Sequence, residues 1–107
     1  MIRISIYKKS GSISGFSVTG HSGYAEAGSD IICAAVSALV INTINSLEKF
    51  TDETFEAGAD EESADIRVRF SSRPGHDAQL LLESMVLGLE GVLEGSEDYM
   101  QISYKEE

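Results

Sequence analysis

A histidine and the single cysteine lie twelve positions apart in GHSGYAEAGSDIICAAVS, residues 20–37. A thiolate is a strong nucleophile, but an ordinary thiol has a pKa of about 8.5 and becomes one only beside a histidine or a helix N-terminus. His21 and Cys33 are therefore a candidate general base and nucleophile. Asp30 is a candidate helix N-cap, which would put Cys33 in the first helical turn, where unpaired amides could also hold an oxyanion. These residue types and this spacing indicate nucleophilic catalysis by a cysteine.

Other interpretations of the same residues stay open at this point. Cysteines on apolar helices usually pack in the core as small apolar side chains. The Asp30 carboxylate opposes a thiolate unless amides or His21 engage its charge. Ser37 follows Cys33 by one helical turn on the same face and could hydrogen-bond within the site. His76, in RPGHD, is a second candidate base, although a solvated residue at a helix start is the alternative reading of it.

The hydropathy pattern predicts the elements that must position these residues. Ile2, Ile4 and Ile6 alternate with polar residues as a first strand, and ISGFSVTG is the second strand of a hairpin with His21 on its polar side. Residues 21–29 predict a loop, and apolar residues at helical spacing predict a helix from Ile31 to Phe50. Two later segments, TFEAGA and ADIRVRF, predict a second hairpin. Its residues expected to face the core are Ala64, Ile66, Val68 and Phe70. A helix from Asp77 to Leu93 and a final strand, YMQISYK, are predicted after it. The order ββαββαβ predicts an α+β two-layer sandwich, two helices on a mixed or antiparallel sheet, as one domain over residues 1–107.

The composition of the chain limits which binding partners and which cellular compartment are expected. The 107 residues carry eight Lys and Arg against eighteen Asp and Glu, a net charge of −10, which disfavours a nucleic-acid partner. One cysteine cannot form an intrachain disulfide, and no residues have metal-ligand spacing, so neither a metal nor another cofactor is expected. The N-terminal alternation is unlike a signal peptide, and polar residues interrupt the apolar run from Ile31 to Ile44, so we expect no membrane span and a cytoplasmic protein.

Residues 20–37 resemble a known family, the ribosomal-processing cysteine proteases called Prp. The resemblance rests on Gly20-His21, Gly28, the run Asp30-Ile31-Ile32-Cys33-Ala34-Ala35, and Ser37, and it extends over the chain in length and element order. It implies a cysteine endopeptidase in which His21 is the general base and Cys33 the nucleophile, with Asp30 and Ser37 in supporting positions. One departure is Ser22, where the family commonly has alanine.

The resemblance also implies a substrate and an assembly. Family members remove a short N-terminal extension from large-subunit ribosomal protein L-twenty-seven during bacterial ribosome assembly, cutting after aromatic residues in an apolar cleft. They look like homodimers whose loop between histidine and cysteine orders around the substrate. The candidate substrate contacts in that loop are Ser22, Gly23, Tyr24, Glu26 and Gly28. An acidic enzyme would attract a basic ribosomal protein, which gives the net charge a use.

Two functions of other classes remain as alternatives. A non-catalytic ribosome-assembly module would bind a basic ribosomal protein and use Cys33 only for packing. A redox-sensing thiol would need a resolving cysteine from another chain.

Overall fold

Two helices pack on one face of a five-stranded sheet. The computed structural model describes residues 1–20, 27–60 and 65–107, with only the backbone described for residues 27–30. Its elements are β1 (Ile2–Lys9), β2 (Ser12–Thr19), α1 (Ala27–Phe50), β3 (Phe55–Ala59), β4 (Ile66–Phe70), α2 (His76–Leu93) and β5 (Met100–Glu106). The strand order is β3-β4-β2-β1-β5; β1 and β5 are parallel and the other neighbours antiparallel. The predicted element order and α+β class are confirmed.

A two-residue turn joins β1 to β2. Ser10 and Gly11 both have positive φ, 52° and 80°, the combination found in tight hairpin turns whose twist matches that of the strands. The strands pair from Lys9 with Ser12 to Arg3 with Thr19, interrupted by a bulge after Tyr7. The predicted first hairpin is confirmed, and its register sends alternate side chains to opposite faces of the sheet.

The core lies between the sheet and the helices. Ile2, Ile4 and Ile6 of β1 and Phe16 and Val18 of β2 are all buried, because alternate residues of each strand face α1 and α2. One apolar stripe of α2 faces the core, with four members buried and two half-buried; these are Leu82, Met85, Val86 and Leu89, then Leu81 and Val92. On β4 the predicted inner face is also confirmed, with Val68 buried and Ile66 and Phe70 half-buried; Ala64 lies outside the described residues.

The first helix begins earlier than the sequence predicts. α1 starts at Ala27, four residues before Ile31, so residues 27–29 of the predicted loop and Asp30 belong to its first turn. A glycine in a helix costs only about 1 kcal/mol relative to alanine, whereas each added residue closes another backbone hydrogen bond once a helix has formed. The glycine and serine signals at residues 28 and 29 are therefore too weak to stop the helix.

The two glycines of α2 have different surroundings. A Cβ at Gly88 would lie 3.0 Å from a Leu39 methyl group, so this glycine allows α1 and α2 to pack closely. A Cβ at Gly91 would meet nothing within 4 Å. Close packing against α1 therefore accounts for the glycine at Gly88 but not for the one at Gly91.

α1 contains a long segment that is apolar on average, although serine, asparagine and threonine occur within it. Ile31–Phe50 spans 20 residues with a mean hydropathy of 1.6, enough in length and composition to cross a membrane, so the expectation that serine, asparagine and threonine would exclude this was wrong. Those residues are uncharged and lower the average only modestly. In the fold, Ile32, Val36, Val40 and Leu47 bury one face of this segment in the core, and the core helices of globular domains satisfy the same test.

Candidate active site

Cys33 lies where α1 approaches the end of β2. It is the seventh residue of the helix, its side chain is half-buried, and it packs against the core. A cavity of about 50 Å³ opens beside it. The cavity is lined by Val36 and Ser37 of α1, by Gly20, and by apolar side chains that include Ile2, Val18 and Ile66. The thiol therefore borders an apolar recess between the helix and the sheet.

Ser37 lines the same cavity as Cys33. Two residues four apart on an α-helix share a face, and the sequence predicts this pair on that basis. Ser37 is solvent-exposed, so its hydroxyl stands at the open side of the recess. The two residues therefore border one recess, and a supporting role for Ser37 in the site remains a prediction.

Gly20 fixes the chain immediately before His21. Its φ is +73°, and a Cβ there would overlap the carbonyl oxygen of Met1, so no other residue fits without movement of the backbone. Its N–H donates to Oδ1 of Asp65 at 3.2 Å. Because Gly20 also lines the cavity beside Cys33, the residue that precedes the candidate base is held at the candidate nucleophile.

The earlier start of α1 changes the expected environment of Cys33. Asp30 is the fourth helical residue instead of the N-cap, and Cys33 lies in the second turn instead of the first. Cys33 follows Ala27 by six positions, about 9 Å along the helix axis, and the effect of the helix dipole is largely confined to the first turn. The predictions that Asp30 caps the helix and that first-turn amides surround the thiol are therefore wrong for this geometry.

The remaining predicted site residues fall largely outside what the structure describes. His21, Ser22, Gly23, Tyr24 and Glu26 lie outside the described residues, and so does the side chain of Asp30. The backbone of Gly28 is the second residue of α1. The roles assigned to all of these residues remain predictions.

His76 is far from Cys33. It begins α2 with its side chain 87% exposed, 3.2 Å from Asp77. One turn on, Gln79 bonds both backbone groups of Ile13, at 3.1 and 2.9 Å. Ile13 and Gly20 stand at opposite ends of β2, roughly 20 Å apart at about 3.3 Å per residue. His76 is therefore a solvated helix-start residue and no base for Cys33.

Two contributors to the site were missed by sequence reasoning. Asp65 holds the Gly20 amide from a position 45 residues away, and nothing in the local sequence indicates that contact. Ile66, the next residue, lines the cavity from β4. Of these two residues, only Ile66 could have been identified from the sequence, because the hydropathy alternation along β4 places it on the inner face of the sheet. Within residues 1–20, 27–60 and 65–107, no three metal-ligand side chains cluster.

Comparisons with known proteins agree on one family. A family model described as cysteine protease Prp matches residues 1–101. The ribosomal processing cysteine protease Prp of Staphylococcus aureus is 26% identical over 95 residues, covering 89% of this chain and 90% of that protein. The protein of the same name from Bacillus subtilis is 30% identical over 98 residues, covering 82% of each.

Solved structures of similar proteins share the fold over nearly the whole chain. The Staphylococcus aureus Prp bound to a substrate peptide matches with a TM-score of 0.91 at 25% identity, covering 98% of this chain and 100% of that one. A Streptococcus mutans protein matches with a TM-score of 0.90 at 29% identity, covering 100% and 99%. A further Staphylococcus aureus Prp structure contains a covalently linked product peptide and matches with a TM-score of 0.89 at 26% identity, covering 98% and 100%.

Proposed function

Because the chain belongs to the cysteine protease Prp family, we propose that it removes the N-terminal extension of large-subunit ribosomal protein L-twenty-seven with a His21–Cys33 dyad. The family's activity makes the chain a cysteine protease of ribosomal processing. The observation that best supports the dyad concerns Gly20. This residue precedes His21 in the chain and lines the same cavity as Cys33. Nucleophilic catalysis first requires a base close to the thiol, and the attachment of His21 to Gly20 supports that proximity.

The proposed reaction has two halves. His21 accepts the proton of the Cys33 thiol, and Sγ attacks the scissile carbonyl carbon to form a tetrahedral intermediate. As that intermediate collapses, His21 returns the proton to the departing amine and a thioester remains. Water, deprotonated by His21, then hydrolyses the thioester and restores the thiol. Ser37 lines the same recess as Cys33, which supports a hydrogen bond from its hydroxyl to the substrate beside the nucleophile.

The proposed substrate is a basic ribosomal protein with an extended N-terminus. The support is the name of the relatives, ribosomal processing cysteine protease, and the net charge of −10, which attracts basic chains. The apolar lining of the cavity suits the apolar side chains expected before the cut. Because bacterial ribosomes assemble in the cytoplasm, the proposal places this enzyme there.

We also propose that the enzyme acts as a homodimer of single-domain chains spanning residues 1–107. The support is an apolar stripe on the outer face of α1, at the spacing of one helical face, formed by Ile31, Ala34, Ala38 and Ile41. Ile31 is 70% exposed and Ile41 49% exposed, although both are large aliphatic residues. Burying such a stripe against a second copy would remove apolar surface from water.

The decisive experiment incubates the purified protein with the extended ribosomal protein and determines the substrate mass over time. We expect the wild-type chain and His76→Ala to remove the extension, and Cys33→Ala and His21→Ala to lower kcat by at least about a thousandfold. Undiminished cleavage by either dyad variant would refute the dyad. An unshortened substrate that nevertheless binds the wild-type chain would instead support the alternative, a non-catalytic assembly module.

A further inference from the structure

The face of the sheet that points away from the helices carries three rows of polar side chains. Strand register aligns Gln101, Arg3 and Thr19 in the first row. The second row is Ser103, Ser5, Ser17 and Arg67, and the third is Lys105, Tyr7, Gly15 and Arg69. Successive rows lie two residues apart along each strand, about 6.6 Å. A groove of about 260 Å³ runs over this face, which we call the outer face.

The outer face concentrates positive charge on an acidic protein. Arg3, Arg67, Arg69 and Lys105 are four of the eight Lys and Arg residues in the chain. Side chains of three of them line the groove together with hydroxyl and amide groups, and none of the lining residues is acidic. The remainder of the chain holds the large acidic excess. Charge is therefore segregated, which the net value of −10 conceals.

The carboxylates near the outer face either accept hydrogen bonds from other groups or lie on an edge strand of the sheet. Glu107 accepts from Arg69 at 2.6 Å and from Ser14 at 2.7 Å. Asp65 accepts from the Gly20 amide, and Glu56 is opposite Arg69 on the edge strand β3. The Arg69–Glu107 pair is the one Arg or Lys ion pair among the described residues, so within that part of the chain no carboxylate forms an ion pair with Arg3, Arg67 or Lys105.

The pKa of Tyr7 reflects the positive charges and hydroxyl groups around it on the outer face. The guanidinium of Arg69 lies 4.3 Å from the centre of its ring, and the ammonium of Lys105 lies 6.0 Å from it. The Ser17 hydrogen bond, followed by the positive charges of Lys105 and Arg69, lowers the pKa of Tyr7 despite partial burial. A site that favours phenolate favours other anions as well.

We propose that the outer face binds the phosphate backbone of single-stranded RNA. Arg3, Arg67 and Lys105 would neutralise successive phosphates, while Ser5, Ser103 and their neighbours would donate hydrogen bonds to phosphate and ribose oxygens. This function is independent of cleavage, because the groove and the Cys33 cavity open on opposite faces of the sheet. The enzyme could then hold RNA and a ribosomal protein together.

The position of the groove favours RNA over an acidic peptide. A peptide gains affinity from a sheet mainly by pairing with an exposed edge, and the edges here are β3 and β5. The groove lies over the central strands, whose backbone groups are already paired. RNA needs no such pairing, since its affinity comes from phosphates and cations. The acidic remainder of the surface repels RNA and would confine it to this one face.

The test measures the fluorescence anisotropy of a labelled oligouridylate titrated with the full chain between about 50 and 200 mM salt. Three phosphate contacts predict a slope of log affinity against log salt of about −2, and a loss of affinity of about fifteenfold over that range. Arg67→Gln should weaken binding about fivefold and make the slope shallower by about 0.7. Arg73→Gln is the matched control: an exposed arginine with the same charge change, outside the groove.

Each alternative outcome overturns the proposal. Failure of the wild-type chain to bind at low salt excludes RNA, and equal weakening by Arg67→Gln and Arg73→Gln shows that net charge acts rather than the groove. Displacement of the oligonucleotide by polyglutamate at equal charge identifies an acidic protein as the occupant. Displacement by inorganic phosphate at equal phosphate concentration identifies a free-anion site. Binding by Cys33→Ala at wild-type affinity keeps the result separate from the proposed peptidase activity.

Discussion

Gly20 is the residue whose backbone most tightly constrains the candidate site. It combines a left-handed φ, contact with the Met1 carbonyl, a hydrogen bond to Asp65 and direct attachment to His21. Any side chain there must move the backbone away from Met1 or change φ. Either movement would displace the chain as it enters the candidate base, so stability and catalysis are coupled at this position.

Gly20→Ala is expected to lower both the free energy of unfolding and kcat. An alanine held at left-handed φ costs about 1–2 kcal/mol, and the clash adds to that cost. Gly95→Ala is the matched control, because Gly95 has a φ of +83° and open space around it. Urea unfolding and peptide cleavage measure the two effects. Equal losses in the two variants would show that φ alone matters and that the contact with Met1 does not.

Tyr104 is expected to ionise at a higher pH than Tyr7. Partial burial, the hydrogen bond that its hydroxyl donates to Glu90 at 2.9 Å, and the charges of Glu90 and Glu83 raise its pKa to about 12. The native state thus favours neutral phenol, a stabilisation fully present below the ordinary pKa of about 10 and lost as pH rises through 12.

The tyrosinate absorbance titration measures this order. Tyr104→Phe should remove a step near pH 12 and make unfolding stability less pH-dependent between pH 10 and 12. Tyr7→Phe should instead remove an early step, because the pKa of Tyr7 is lowered. Loss of an early step in Tyr104→Phe would contradict the assignment.

At the scale of elements, α1 has apolar side chains on two opposite sides. Its inner side buries Ile32, Val36, Val40 and Leu47, and its outer side exposes Ile31 and Ile41. A helix that is apolar on both sides fits a second partner on the outer side. The same helix also carries Cys33 and Ser37, so a dimer contact along α1 would run close to the candidate active site.

If the chain forms the proposed homodimer, Ile41→Asp is expected to convert it into a monomer, because a charge would be buried in the proposed interface. The fold should survive, since Ile41 is 49% exposed in the isolated chain. Asn42→Asp adds the same charge at the next exposed position, off the apolar stripe, and should leave the dimer intact. Light scattering after size-exclusion chromatography measures the mass. A wild-type mass of one chain would contradict the dimer itself.

The elements were predictable from sequence where periodicity determines them. Alternation identified β1 and β2, and helical spacing placed Cys33 and Ser37 on one face. The start of α1 was not predictable, because Gly28, Ser29 and Asp30 are all common at helix boundaries and packing decides between them. The parallel pairing of β1 with β5 and the Gly20–Asp65 contact join distant segments, and no local pattern encodes either.

At the scale of the whole molecule, charge separates into two regions with different expected partners. Among the described residues, the acidic ones lie outside the groove of the outer face, while Arg3, Arg67 and Lys105 line it. An anionic chain is therefore expected at the groove, and a basic protein at the acidic surface outside it. A single net charge cannot predict this arrangement, because strand register decides which side chains share a face.

The cleavage rate of a basic substrate is expected to fall with added salt. The specificity constant kcat/KM for the extended ribosomal protein should decrease from low to physiological ionic strength, mainly through slower association, because salt screens the attraction. A short, uncharged peptide that spans the cut should show little dependence and serves as the control. A constant kcat/KM for the full substrate would show that the acidic surface does not steer it.

The pairing of β1 with β5 has a consequence for the order of events during synthesis. Ile2 lies beside Met100 in the register, and its N–H bonds the carbonyl of Tyr99 at 2.9 Å. Ile2 also lines the cavity at Cys33. Contacts between such distant segments form slowly, after loop closure over most of the chain. A nascent chain on the ribosome cannot assemble this recess before residues 99–106 emerge, so the peptidase stays inactive until those residues have been synthesised and have paired with β1.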